Sequence, residues 1–216
     1  MFALTTVEVD GAPSAVTARV RAALRPLDGR SLLALDAAEV DRRLRALPEV
    51  TSATYDRDFP HTLRVTVRAE HPVAIARRGP KAWLVAASSR TLASVPAQAR
   101  PGLPRIWLAH SQGDPEVGAP IEDRFALRGV RTLALARLGR FGGRVRMVRV
   151  QEQDLTMLLA SGLELRLGDL RAVRLKLEVA TRVLPTILAH GGYAYVDVSV
   201  PERPVAGTSL DPRPEP

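Results

Sequence analysis

Thr62-Leu63-Arg64-Val65-Thr66-Val67-Arg68 decides the fold of the first third of the chain. Leu63, Val65 and Val67 alternate with Thr62, Arg64, Thr66 and Arg68, the period of a strand with one face in a core. Upstream, Val50–Asp56 reads as a second extended segment, and Pro48 ends the run before it. In that run Val40, Leu44 and Leu47 share a helical face, and Asp36 with Glu39 sets up a capping pair at its start. Earlier still, Pro13 opens a helix whose apolar positions are Val16, Val20, Leu24 and Leu27, closed by Asp28-Gly29. The first element, Thr5–Asp10, is extended and stops at Gly11. The order is strand, helix, helix, strand, strand over residues 1–70, a small β-α-α-β-β module of the α+β class. Its junctions are punctuated at nearly every step and it sets out no reactive side chains, which suggests docking rather than chemistry.

The chain has 216 residues, enough for two small domains. Apolar content of 46% is ordinary for a protein with a buried core. The sequence contains no cysteine, which removes disulfides, thiol nucleophiles and thiolate metal sites together. No run of about 18 apolar residues is present to span a membrane. Met1-Phe2-Ala3-Leu4 leads straight into the first strand without a signal-peptide pattern, so a membrane anchor would have to lie upstream. The net charge of +8 is unevenly placed: Arg124 to Arg149 holds eight arginines and no acidic residue. Arg124, Arg128 and Arg131 fall on one helical stripe, with Val130, Leu133 and Leu138 turned inward. That stripe is a solvated face or a site for an anionic surface, lipid headgroups or a wall polymer. Nucleic acid fits poorly, because no aromatic-rich strand is set up for base stacking.

Beyond residue 70 the pattern predicts short strands at Ala74–Arg77, Trp83–Ala87, Thr91–Val95 and Arg105–Ala109, with loops at Pro96–Pro104 and His110–Pro120. A helix follows at Ile121–Leu138, then a meander of Val145–Gln151, Leu155–Ala160 and Leu163–Leu167. Gly168-Asp169 starts a second helix, Asp169 serving as N-cap and Leu170, Val173, Leu177, Ala180, Leu184 and Ile187 forming its apolar face. Pro185 should kink or shorten its last turn. Tyr193–Val200 is the last strand, with Ala194, Val196, Val198 and Val200 on one face and Tyr193, Tyr195, Asp197 and Ser199 on the other. Residues 71–205 thus read as a second mixed domain with a largely antiparallel sheet and two helices. Residues 206–216 read as a disordered, proline-rich tail.

Catalytic constellations are lacking. His61, His71, His110 and His190 are never three or four residues apart, so no helical metal pair exists. No serine sits in a nucleophile elbow, and Asp56 and Asp58 fall at a strand end. No cofactor is implied.

The chain resembles the extracytoplasmic region of the FtsQ/DivIB family of bacterial cell-division proteins. The resemblance rests on Val7-Glu8-Val9-Asp10-Gly11, on Gly29-Arg30-Ser31-Leu32-Leu33-Ala34-Leu35-Asp36, and on Leu47-Pro48-Glu49-Val50 followed by Ala53, Tyr55, Arg57 and Pro60. Further matches are Leu63 to Val67, Glu70-His71-Pro72-Val73-Ala74, Leu167-Gly168-Asp169-Leu170 and Tyr195-Val196-Asp197-Val198-Ser199-Val200-Pro201. It implies a POTRA domain over the first 70 residues and the family's β domain after it. It implies a non-catalytic divisome scaffold on the outer side of the bacterial inner membrane at the septum, tethered by one upstream helix and binding partners of FtsB and FtsL type. Its partner surface would be Tyr193–Val200, with Arg174, Glu178 and Arg182 on the preceding helix. A terminal strand at a sheet edge carries free N–H and C=O groups, and strand addition there is the binding mode the residues suggest. The alternatives are a POTRA-bearing outer-membrane transport or assembly factor, and a binder of anionic membrane or wall polymers.

Overall fold

Val16, Val20, Leu24 and Leu27 come together under Leu63, Val65 and Val67 as the helical and strand periods require. This follows in a computed structural model that describes residues 2–98, 102–109, 113–152 and 154–208. The chain divides into two compact units, Met1–His71 and Pro72–Pro216.

In the first unit β1 (Thr6–Asp10) leads to α1 (Ser14–Leu24) and α2 (Ala37–Arg45), then β2 (Val50–Asp58) and β3 (Thr62–Ala69). β3 is central, parallel to β1 and antiparallel to β2. Leu63 and Val65 are fully buried and Val67 is nearly so, while Thr62, Arg64, Thr66 and Arg68 point away. Both helices cover the same face, α1 through Val16, Val20 and Leu24 and α2 through Val40 and Leu44. Asp36 caps α2 by accepting from the Ala38 N–H at 3.0 Å. The reciprocal half of the capping box is not made. Glu39 turns instead to Arg30 at 2.6 Å and Arg43 at 2.8 Å, and those guanidinium groups hold its carboxyl below the usual range. Buried Glu49 is met by Arg19 of α1.

The second unit comprises β4 (Pro72–Arg78), β5 (Lys81–Ala86), β6 (Thr91–Pro96), β7 (Arg105–Trp107), α3 (Arg124–Leu138), β8 (Val145–Gln151), β9 (Asp154–Leu159), β10 (Glu164–Gly168), α4 (Val173–His190), β11 (Tyr195–Asp197) and β12 (Val205–Gly207). They form a nine-stranded sheet in the order β12-β11-β10-β9-β8-β7-β4-β5-β6. β8, β9 and β10 are the expected meander. The two helices lie on one face, over a core of Ala76, Ile106, Val148, Met157, Leu165 and Val196 with Val130, Leu133, Leu177 and Leu184. A smaller core of Ile75, Ala82, Leu84, Ala86 and Leu92 covers the other face at the β4–β6 end.

Several expectations are corrected. α3 begins at Arg124 rather than Ile121, because buried Asp123 caps it by accepting from the Phe125 and Ala126 N–H groups. Its other carboxylate oxygen accepts from the Ala109 N–H at 2.7 Å and ties the exit of β7 to the helix start. Leu138, expected inward, is 77% exposed because it lies in the last turn, past the sheet-facing stripe. α4 begins at Val173, not Asp169, and Leu170 stays outside the helix. Pro185 does not end α4, which continues to His190. The last strand shortens from Tyr193–Val200 to Tyr195–Asp197, and Val205–Gly207 forms a further strand beyond Pro201 and Pro204. Residues 206 and 207, expected in a disordered tail, are therefore paired in the sheet. Residues 209–216, like His110, lie outside the described residues. Among the described residues no helix is long and apolar enough to cross a membrane.

Candidate partner-binding edge

The end of the nine-stranded sheet carries the sequence-predicted partner residues, and it differs from the expectation in one decisive respect. β11 is not the edge. It lies between β10, to which it is parallel, and β12, to which it is antiparallel. Among the described residues β12 has a neighbour on one side only.

The direction of each amide follows from the hydrogen bonds at the ends of β11. The Glu164 N–H donates to the Ala194 carbonyl at 2.9 Å, and the Val198 N–H donates to the Arg166 carbonyl at 2.9 Å. Even-numbered residues of β11 therefore face β10. Alternation turns Tyr195 and Asp197 toward β12, opposite Gly207 and Val205. The Ala194 N–H donates to the Gly207 carbonyl at 2.7 Å as the last rung. By the same alternation Ala206, between Val205 and Gly207, points its N–H and C=O away from β11. Among the described residues that pair of main-chain groups has no partner strand.

A stack of three residues fixes β12 in place. The Arg166 guanidinium lies 3.9 Å from the centroid of the Tyr195 ring. The same ring lies against Gly207, where a Cβ would stand 2.4 Å from Tyr195 Cε1. Only glycine leaves room for the ring there. Exposed apolar side chains lie in this part of the chain: Val205 in β12 itself at 55%, with Tyr193 before and Val200 after β11.

The turn from β10 into α4 explains the Gly-Asp pair. Gly168 has φ +62°, and a Cβ there would meet the Ser199 Cβ at 2.8 Å. Asp169 is not the N-cap; that position is Ala172, at φ +50°. Its carboxylate instead accepts from the Lys176 ammonium at 2.7 Å and from Arg171 Nε at 2.5 Å. Lys176 is almost wholly buried, and its Nζ also donates to the Asp169 carbonyl at 2.9 Å. These partners, Lys176 first, lower the Asp169 pKa to about 2.

The predicted partner residues divide among three environments. Val196 and Val198 are 1% and 0% exposed and belong to the helix-side core, so their side chains are closed to a partner. Tyr195 and Asp197 look out from the opposite face, half-buried, and Asp197 accepts from the Ser199 N–H at 2.8 Å. Arg174, Glu178 and Arg182 line a groove of about 610 Å³ between α3 and α4, with Leu135, Leu138 and Phe141 opposite. Glu178 accepts from Arg182 Nη2 at 2.6 Å. The α4 trio is thus on the helical face of the sheet, and the fold does not bring it together with Tyr195 and Asp197.

Of the arginine stripe, Arg124 and Arg131 are exposed, whereas Arg128 is half-buried and donates to the Glu152 carbonyl at 2.5 Å. Histidine chemistry does not assemble: the ring Nδ1 of His61 bonds the Ala3 carbonyl at 2.9 Å and that of His190 the Thr186 carbonyl at 2.8 Å. Asp56 accepts from its neighbour's N–H and Asp58 pairs with Arg64 at 2.8 Å. Among the described residues no group of acidic and histidine side chains is placed to hold a metal. Sequence reading missed Ala206, Gly207, Arg166 and Lys176. The one available signal was the short apolar triplet Val205-Ala206-Gly207 after two prolines.

No curated protein matches the chain. Residues 2–69 match the family model described as POTRA domain, FtsQ-type. That range coincides with the β1-α1-α2-β2-β3 unit derived above, so the first unit of the chain is similar to a POTRA domain of FtsQ type.

Proposed function

We propose that this chain is a non-catalytic scaffold of the bacterial divisome, acting on the extracytoplasmic side of the inner membrane at the septum. In this reading residues 1–70 dock one set of membrane components. The second unit, from Pro72 and closing with β12 at Val205–Gly207, binds partners of FtsB and FtsL type. The observation that carries it is that β12 ends the sheet among the described residues, with exposed Val205 in it and exposed Tyr193 and Val200 flanking β11 in the sequence. A partner segment laid antiparallel or parallel to β12 bonds to the Ala206 N–H and C=O, and its alternate side chains meet those apolar groups. Three residues of edge give few main-chain bonds, so side-chain contact supplies most of the affinity. Gly207 and Arg166 act as positioning residues, since they hold Tyr195 and with it the register of β12.

Ala206→Pro tests this. Proline removes the outward N–H without touching a bond of the β11–β12 ladder. Capture of the FtsB- and FtsL-type proteins encoded with this chain is expected to fall about tenfold or more, as at a hot spot. The circular dichroism spectrum and the melting curve should stay those of the parent. Undiminished capture by a folded Ala206→Pro protein contradicts strand addition at this edge.

A further inference from the structure

The sheet face opposite α3 and α4 carries a second, separate surface. Ile106, Val148 and Ala76 belong to the helix-side core and are neighbours in register, Ala76 with Ile106 and Ile106 with Val148. Their neighbours along each strand point the other way. Arg105 and Trp107 therefore share the far face with Arg77, Met147 and Arg149, and Leu158 continues it opposite Met147. The small core over β4–β6 ends at Ile75, and no cluster of buried residues includes Met147, Trp107 or Leu158.

At the middle of this face Trp107 is 49% exposed. Its indole N–H donates to Met147 Sδ at 3.2 Å, and the Arg77 guanidinium carbon sits 5.0 Å from its ring centroid. These contacts hold the ring in one orientation. Around it stand three arginines, and among the described residues none of Arg77, Arg105 and Arg149 is in an ion pair. A fixed, half-open tryptophan with a methionine beside it and unneutralised guanidinium groups at its rim has the composition of an interface centre.

We propose that this face docks an acidic amphipathic segment of a partner protein, an apolar side chain resting on Trp107 and Met147 and carboxylates pairing with Arg77, Arg105 and Arg149. Guanidinium forks match carboxylates with two parallel bonds, and the apolar floor lowers the local dielectric in which those bonds form. The occupant is acidic because the unpaired charge is all of one sign. The surface is separate from the β12 edge, so it fails or stands independently of strand addition.

The test uses the full chain and two synthetic helices of equal length, with leucines on one face and either glutamates or lysines on the other. Trp83 is 4% exposed, so a change in tryptophan emission on peptide addition reports Trp107, with Trp107→Phe as the blank. The glutamate helix is expected to shift the emission to the blue and to lose its hold as salt is raised. Arg105→Glu with Arg149→Glu is expected to weaken it about tenfold or more, while the lysine helix leaves the spectrum unchanged. Equal binding of both helices, or none by the glutamate helix, overturns the proposal. So does a concentration-dependent dimer that Trp107→Ala dissolves, which would give the face to a second copy of this chain. Circular dichroism confirms that each variant is folded.

Discussion

Gly207 shows how one residue shapes a sheet edge. A side chain at this position has to push the Tyr195 ring away, which also breaks its contact with Arg166. Gly207→Val is expected to cost about 1–3 kcal/mol in urea denaturation, the usual cost of overpacking. The loss should be absent in a Tyr195→Ala background, where no ring is in the way. Asp169 makes a second residue-scale prediction. Its carboxyl is held at about 2 by Lys176 and Arg171, so the ionised form is favoured by folding. That contribution is complete above about pH 4, the unfolded value, and disappears as pH falls toward the folded value. The midpoint of acid unfolding should move to higher pH in Asp169→Asn, and thermal melts at neutral pH should drop because the Lys176 ammonium stays buried with its carboxylate gone. A variant with the parent's acid profile would remove Asp169 from this role. Sequence reading took this aspartate for an N-cap because it follows a glycine and precedes an apolar run. What it could not see is that a lysine seven residues on folds back to meet it.

At the scale of the element, legibility tracked length and periodicity. The central strand β3 and the helices α1 and α2 were readable because each has several repeats of its period and a marked boundary. The meander of β8, β9 and β10 was readable for the same reason. β12 was not: three residues hold too little alternation to read, and the prolines at 201 and 204 argued for a stop. In the fold β11 has already ended at Asp197, and both prolines lie in the connection from which the chain returns antiparallel beside it. Val200, placed on one face with Val196 and Val198 by extending their alternation, is 53% exposed where those two are buried, because β11 has ended by then. The sequence made the strand at Tyr195–Asp197 legible but not its outer neighbour: the Val198 N–H is bonded to the Arg166 carbonyl, and the amide turned away from the sheet is that of Ala206, one strand further on. The short β12 also predicts its own behaviour, since an edge strand with one neighbour and three residues frays more readily than the strands behind it.

For the whole molecule, charge and chemistry point the same way. The chain is basic, and its first unit matches a POTRA domain of FtsQ type. The β12 edge is the surface we propose for strand addition and the Trp107 face the one we propose for an acidic segment. The central claim is that partner binding completes the sheet at β12, and amide hydrogen exchange tests it most directly. In the free protein the Ala206 N–H should exchange fast while the Tyr195 and Asp197 N–H groups, turned to β12, exchange slowly. Saturation with the FtsB-type partner should slow Ala206 to the rate of its neighbours in the ladder. An Ala206 N–H that still exchanges freely in a fully formed complex would contradict the account.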